Sequence, residues 1–154
     1  MHRLDETAKG VFIIAATPFT DTGALDLAAV DRLVAFYLDR GVQGLTILGM
    51  MGEAPKLTDD EALAFARAVL QRVDGRVPVV VGASAPGFAT MAALGEAVMD
   101  AGAAGIMVQP PATAAIGDDA VLGYCRKVAE TLGSDVPWVL QDFPLASSVP
   151  MSAG

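Results

Sequence analysis

Five short apolar runs, each followed by an amphipathic stretch, constrain this chain more than any other feature of its sequence. Their cores begin near Val11, Leu45, Val79, Ile106 and Trp138, at spacings of 34, 34, 27 and 32 residues. Val11-Phe-Ile-Ile-Ala-Ala16 is continuously apolar, the pattern of a strand buried on both faces. The next runs predict strands from about Gly44 to Leu48, Val77 to Val81, Gly105 to Val108 and Pro137 to Gln141. Between them the period lengthens to that of helices. Asp26 caps a stretch whose Leu27, Val30, Leu33, Val34, Tyr37 and Leu38 share one face, and Gly41 ends it. Thr58-Asp-Asp-Glu61 is a capping box opening a helix with Ala62, Phe65, Ala66, Val69, Leu70 and Val73 inward, ended by Gly75. Further helices are expected over roughly Phe88 to Ala101, and from Asp118 or Asp119 to Gly133 with Val121, Leu122, Cys125, Val128 and Leu132 on one stripe. Asp142 to Gly154 leaves room for only a loop and a turn.

Strict alternation of this kind predicts a parallel sheet with right-handed crossovers. Two architectures compete. A five-strand doubly wound sheet suits 154 residues well. A (β/α)8 barrel needs about 250 residues. Length alone favours the doubly wound sheet, and in either case residues 1–154 form one domain, without linker or low-complexity segment.

Charge narrows the partners. The net charge is −8 with 10 Lys+Arg and no basic run, which argues against nucleic acid. The single Cys125 permits no intrachain disulfide and fits a reducing, cytoplasmic setting. Met1 to Gly10 is polar, and no apolar run approaches the ~20 residues of a membrane span. His2 lies in that polar terminus and is expected to be poorly ordered. No HExxH, CxxC, Walker or GxGxxG pattern occurs, so neither a metal nor a cofactor is expected. Asp59-Asp60 and Asp118-Asp119 read as favourable charge at helix N-termini.

The candidate site is Leu45-Thr-Ile-Leu-Gly-Met-Met-Gly-Glu-Ala-Pro-Lys-Leu-Thr58. A strand that ends in a turn punctuated by Gly49 and Gly52, just before a helix, collects free backbone N–H groups.

Gly10-Val-Phe-Ile-Ile-Ala-Ala-Thr-Pro-Phe19, Gly41-Val-Gln-Gly44 and Gly49-Met-Met-Gly-Glu53, with Leu57-Thr58 and Glu61, resemble the dihydrodipicolinate synthase/N-acetylneuraminate lyase family. Val79 to Gly82, Ala101-Gly-Ala-Ala-Gly105 and Gln109-Pro-Pro111 continue the pattern in order. The resemblance implies a partial (β/α)8 TIM barrel of about five strands and four helices, the N-terminal portion of a single barrel domain. It also implies class I aldolase chemistry, in which a lysine forms a Schiff base with pyruvate or another small 2-oxo acid. A homo-oligomer is implied as well.

The family pattern puts that lysine on strand six, past Gly154, and none of Lys9, Lys56 and Lys127 matches it. Where members carry a relay tyrosine at the end of strand five, this chain has Gln141, followed by Asp142. The paired hydroxyl residues of the glycine-bracketed turn are Met50 and Met51 here. A tyrosine common after strand four is replaced by Pro110-Pro111. Glutamine exchanges no proton near neutrality, and methionine offers neither donor nor nucleophile. What survives is the backbone around Met50 to Gly52, which can hold a carboxylate without side chains.

The candidate substrate-binding residues are therefore Thr17, Gly49, Met50, Met51, Gly52 and Gln141. Met50 and Met51 either line an apolar pocket or fill a core gap. Asp142 is the candidate acid/base, with a turn or capping role as its alternative. Glu53 is read as bonding loop N–H groups, Lys56 as a solvated lysine and Cys125 as core. A second functional reading is a non-catalytic half-barrel that binds a carboxylate or a protein partner through its open sheet edges.

Overall fold

The computed structural model describes residues 3–84, 87–111 and 117–152; His2 lies outside them. Five strands form one parallel sheet: β1 (Phe12–Ile14), β2 (Gly44–Ile47), β3 (Val79–Gly82), β4 (Gly105–Val108) and β5 (Trp138–Leu140). Their spatial order is β1-β2-β3-β4-β5. Four helices connect them: α1 (Val30–Asp39), α2 (Asp59–Val73), α3 (Phe88–Asp100) and α4 (Asp118–Leu132). A single turn of helix, α5 (Pro144–Ser147), follows β5.

Strand order decides between the two architectures. A doubly wound sheet reverses direction at a switch point, so its strand order is not sequential and its helices cover both faces. Here order in space follows order in sequence, and α1, α2, α3 and α4 pack each on the next. The chain is an arc of a (β/α)8 barrel, and the doubly wound alternative favoured by length is overturned.

Alternation along each strand divides the sheet into two sides. Leu45 and Ile47, Val79 and Val81, Ile106 and Val108 join one buried cluster with Val34, Phe65, Val69, Met91, Val98 and Val128 of the helices. The other side faces the barrel interior. There the ring of Phe12 occupies the space that a Cβ at Gly44 would need, and Ile14 and Met107 approach Gly49. Thr46 and Val80 lie between them in the register Ile14↔Thr46 and Thr46↔Val80.

The helix termini follow the sequence closely. The Thr58 hydroxyl accepts from the Glu61 N–H (3.3 Å), and the Thr58 N–H donates to the Glu61 carboxylate (2.9 Å), completing the capping box. All six apolar residues expected on α2 are buried. The end helices differ. Only Val30 and Val34 of the α1 face are buried, with Leu27 exposed; on α4, Val121 and Val128 are buried, with Leu122 exposed and Cys125 half-buried. Each end helix has one helical neighbour instead of two. The same reason corrects the strand reading: β2, β3 and β4 are buried throughout, whereas β1 and β5 are only partly so.

Residues before β1 cross the N-terminal end of the arc. The Leu4 N–H donates to the Ala104 carbonyl (2.8 Å), and the Arg3 guanidinium donates to the Asp135 carbonyl. A cavity of about 260 Å³ lies under this segment, lined by residues that include Arg3, Asp5, Lys9 and Gln43. Barrel chemistry is built at the opposite, C-terminal end of the strands, so this cavity is a gap beneath a packed segment. Among the described residues no helix is long and apolar enough to cross a membrane, and no group of three or more His, Cys, Asp and Glu is placed to hold a metal ion.

Candidate functional site at the mouth of the arc

Leaving β2, the chain turns sharply at Leu48, whose φ of 54° puts a leucine in the left-handed region. The turn is possible because β3 ends in Gly82. A Cβ there would run into the Leu48 carbonyl, so the close approach of the two backbones requires glycine. Gly49 is confined less severely, since its Cβ would stand 3.2 Å from the side-chain atoms Ile14 Cγ2 and Met107 Cε. Met50–Gly52 then form one turn of 3-10 helix, and Glu53 (φ 51°) reverses the chain again.

Within this turn the backbone donors divide into two sets. The Gly52 N–H donates to the Gly49 carbonyl (3.0 Å) and the Glu53 N–H to the Met50 carbonyl (3.1 Å). The N–H groups of Met50 and Met51 have no partner among the described residues. Of the N–H groups expected around Met50 to Gly52, two adjacent ones thus lack a partner among the described residues and the third is used internally. The methionine side chains fill no core gap, Met50 being 38% and Met51 64% exposed.

Thr17 lies beneath the turn, 8% exposed, and its hydroxyl donates to the Gly52 carbonyl (2.6 Å). This bond ties the exit of β1 to the β2 loop and leaves the hydroxyl oxygen as an acceptor only. Tyr37 of α1 steadies the same exit, its hydroxyl accepting from the Ala16 N–H (3.2 Å). Glu53 departs from expectation: its carboxylate pairs with the Lys56 ammonium, both side chains well exposed, and not with loop N–H groups. Of the other lysines, Lys127 pairs with Glu130 on the outer helix α4 (3.0 Å), and Lys9 lies at the far end of the arc.

Gln141 follows β5 directly, half-buried, its N–H donating to the Val108 carbonyl (2.8 Å). Asp142 is exposed, and no side-chain capping bond forms at the start of α5. Sequence reasoning missed Gln109, which stands where Gln141 stands, one residue past its strand. A signal was present: the 32-residue step from Ile106 to Trp138 also separates Gln109 from Gln141. Both backbone groups of Gln109 are held by side chains. Its N–H donates to Ser84 Oγ (3.0 Å), and its carbonyl accepts from the Tyr124 hydroxyl (3.1 Å). Burial on α4, with a smaller contribution from neighbouring Cys125, pushes the Tyr124 phenol up to about 12, so it remains a donor across the neutral range.

This chain resembles known proteins over nearly its whole length. It is 47% identical to the dihydrodipicolinate synthase of Rhodopseudomonas palustris, whose crystal structure superimposes with a TM-score of 0.93 over 99% of this chain and 50% of that one. It is 36% identical to an L-2-keto-3-deoxyarabonate dehydratase of Azospirillum brasilense, covering 94% of this chain and 47% of the dehydratase. The prophage protein YagE of E. coli K12, solved in complex with pyruvate, is 31% identical with a TM-score of 0.79, over 90% of this chain and 46% of that one. The chain thus spans about half the length of these relatives. The model of the dihydrodipicolinate synthetase family matches residues 7–153, and the chain belongs to that family.

Proposed function

We propose that this chain supplies the carboxylate-binding half of a lyase acting on a pyruvate-like 2-oxo acid by Schiff-base chemistry. The observation that carries the reading is the pair of N–H groups on Met50 and Met51 that have no partner among the described residues, at the C-terminal mouth of a barrel strand. Two adjacent backbone donors suit a carboxylate, and they do so whatever the side chains are. The pyruvate bound to YagE is a ligand of that class. The Schiff-base lysine comes from a part of the barrel that this chain does not contain. Gln141 orients a substrate oxygen, while Asp142, free of any capping bond, serves as the acid/base in place of the absent tyrosine. Homo-oligomerisation belongs to the same reading.

Borohydride reduction in the presence of pyruvate, followed by intact mass and peptide mapping, tests it. The complete protein should gain one stoichiometric adduct on a lysine outside residues 1–154, and the 154-residue chain should gain none. An adduct on this chain that disappears in Lys56→Ala would overturn the assignment.

The runner-up, a non-catalytic half-barrel that binds a partner, is favoured by one observation. Val139, Leu140, Phe143 and Leu145 form an exposed apolar border at the β5 edge. A complete protein that forms no adduct and has no lyase activity would favour it.

A further inference from the structure

We propose that Thr17 is a positioning residue: its buried hydroxyl, acting through the Gly52 carbonyl, aims the Met50 and Met51 N–H pair at the substrate carboxylate without touching the substrate itself. This assignment rests on the carboxylate reading above and names the side chain that holds that site in place.

The turn is fixed unequally at its two ends. At its entry the Leu48 carbonyl lies against Gly82, backbone on backbone. At its exit the Glu53 carboxylate and the Lys56 ammonium pair with each other, both well exposed, and give the turn no anchor in the sheet. The bonds inside the turn, from the Gly52 N–H to the Gly49 carbonyl and from the Glu53 N–H to the Met50 carbonyl, set its shape but not its direction. Among the described residues, one side chain alone hydrogen-bonds to the backbone of residues 48–53, and it is that of Thr17.

Thr17 can hold the turn because the segment it stands on is itself held on both sides. The Ala15 N–H donates to the Thr46 carbonyl (2.8 Å), and the Ala16 N–H to the Tyr37 hydroxyl (3.2 Å). The Pro18 carbonyl accepts from the Asp26 N–H (2.9 Å), and Phe19 bridges to Leu25. The turn is seated directly on this segment: a Cβ on Gly52 would stand 3.3 Å from the Ala15 carbonyl oxygen and 3.4 Å from Thr17 Oγ1. With its one proton given to Gly52, the Thr17 hydroxyl has no donor left for a carboxylate, and its lone pairs would repel one. Two N–H groups on one short turn move together when Gly52 moves, and a shift of about 1 Å is enough to spoil a prearranged site.

A carboxylate is held alike before and after a Schiff base forms, so a misaimed pair should weaken binding and spare the chemical step. The test is cyanoborohydride trapping on the complete protein over a range of pyruvate concentrations, which yields a half-saturating concentration and a limiting rate. It is repeated with methyl pyruvate, whose carboxylate is masked. The unmodified protein should be half-saturated by pyruvate at a concentration at least about ten-fold below that for the ester. Thr17→Val, which keeps the shape and removes the hydroxyl, should raise the pyruvate value about ten-fold, leave the ester value unchanged, and alter the limiting rate by less than about two-fold. Thr17→Ser, which keeps the hydroxyl, should restore the pyruvate value. Tyr37→Phe loosens the same segment without leaving Gly52 unpaired; it should raise the pyruvate value about three-fold, and it decides the matter if Thr17→Val does not fold. A Thr17→Val effect equal for acid and ester, or a fall in limiting rate with half-saturation unchanged, would overturn the proposal. So would a lowered melting temperature with both trapping values intact. Equal trapping of pyruvate and its ester by the unmodified protein would overturn the carboxylate site and this inference with it. A preference for pyruvate that survives both Thr17→Val and Tyr37→Phe would overturn this inference alone.

Discussion

β3 and β5 are built from similar material and live in different surroundings. Val79, Val80 and Val81 are all buried, because β3 has a strand on each side and helices across its outer face. Trp138, Val139 and Leu140 are as apolar, yet Val139 and Leu140 are each 37% exposed. Among the described residues β5 pairs with β4 alone. Burial of a barrel strand is thus a property of its neighbours, and a run that reads as core becomes surface wherever the arc ends. Open apolar edges of this kind promote association.

The largest expected effect is on the chain by itself. In sedimentation the 154-residue chain should run as oligomers or aggregate, whereas the complete barrel should give a defined species. A monodisperse chain that melts cooperatively as a monomer would show that the β1 and β5 edges tolerate water.

A pair of truncations sharpens the comparison within the complete protein. Ile106→Ala, at a fully buried site, should cost about 2–5 kcal/mol in denaturant unfolding. If further β/α units cover β5, Leu140→Ala should cost a similar amount. If the edge stays open, the cost should fall to within about 0.5 kcal/mol, as for other surface sites.

Two glycines extend the contrast to the backbone. Gly82→Ala would drive a methyl into the Leu48 carbonyl, and should destabilise by about 1–3 kcal/mol while disturbing the Met50–Met51 turn. Gly123→Ala on the end helix α4 meets nothing within 4 Å and should stabilise by about 0.4–1 kcal/mol. Denaturant melts of both variants, with pyruvate binding for the first, provide the check.

The smallest effect concerns Tyr124. Spectrophotometric titration should show one phenol ionising near 12, lost in Tyr124→Phe. Its folded value lies above the ordinary value of 10.0, so its bond to Gln109 is fully present below that value and is lost as pH rises through about 12. If the signal lost in Tyr124→Phe were one at the ordinary value instead, the Tyr124 phenol would be solvated and Gln109 less firmly held.

Much of this was legible in the chain itself. The α2 face and its capping box were legible because local chemistry decides them: apolar spacing selects the buried stripe, and Thr58 with Glu61 fixes the first turn. Strand order was not, since one alternation of strand and helix serves both a barrel and a doubly wound sheet. Length pointed the wrong way, and only the resemblance of the ordered motifs to a barrel family pointed to the barrel. At the mouth, Gly49 and Gly52 marked the turn. Nothing in the residue types shows that Gly52's N–H and Thr17's hydroxyl proton are used inside it, or that Leu48 adopts a left-handed conformation. Those facts depend on how closely β2 and β3 approach, which local patterns do not encode.

The segment crossing the foot of the arc has a consequence in time. Consecutive strands pair across about thirty residues, so each β/α unit can dock soon after it is made. The Arg3 contact to Asp135 instead spans 132 residues. During synthesis from the N-terminus, the first residues to appear are among the last to find their places, after the turn before β5 has formed. Leu4, whose N–H donates to the Ala104 carbonyl and which packs beside Gly105, needs only β4 and can dock one unit earlier. The Arg3 end of the segment can therefore seat only once the turn before β5 exists, which makes its placement a late step in a chain made from its N-terminus.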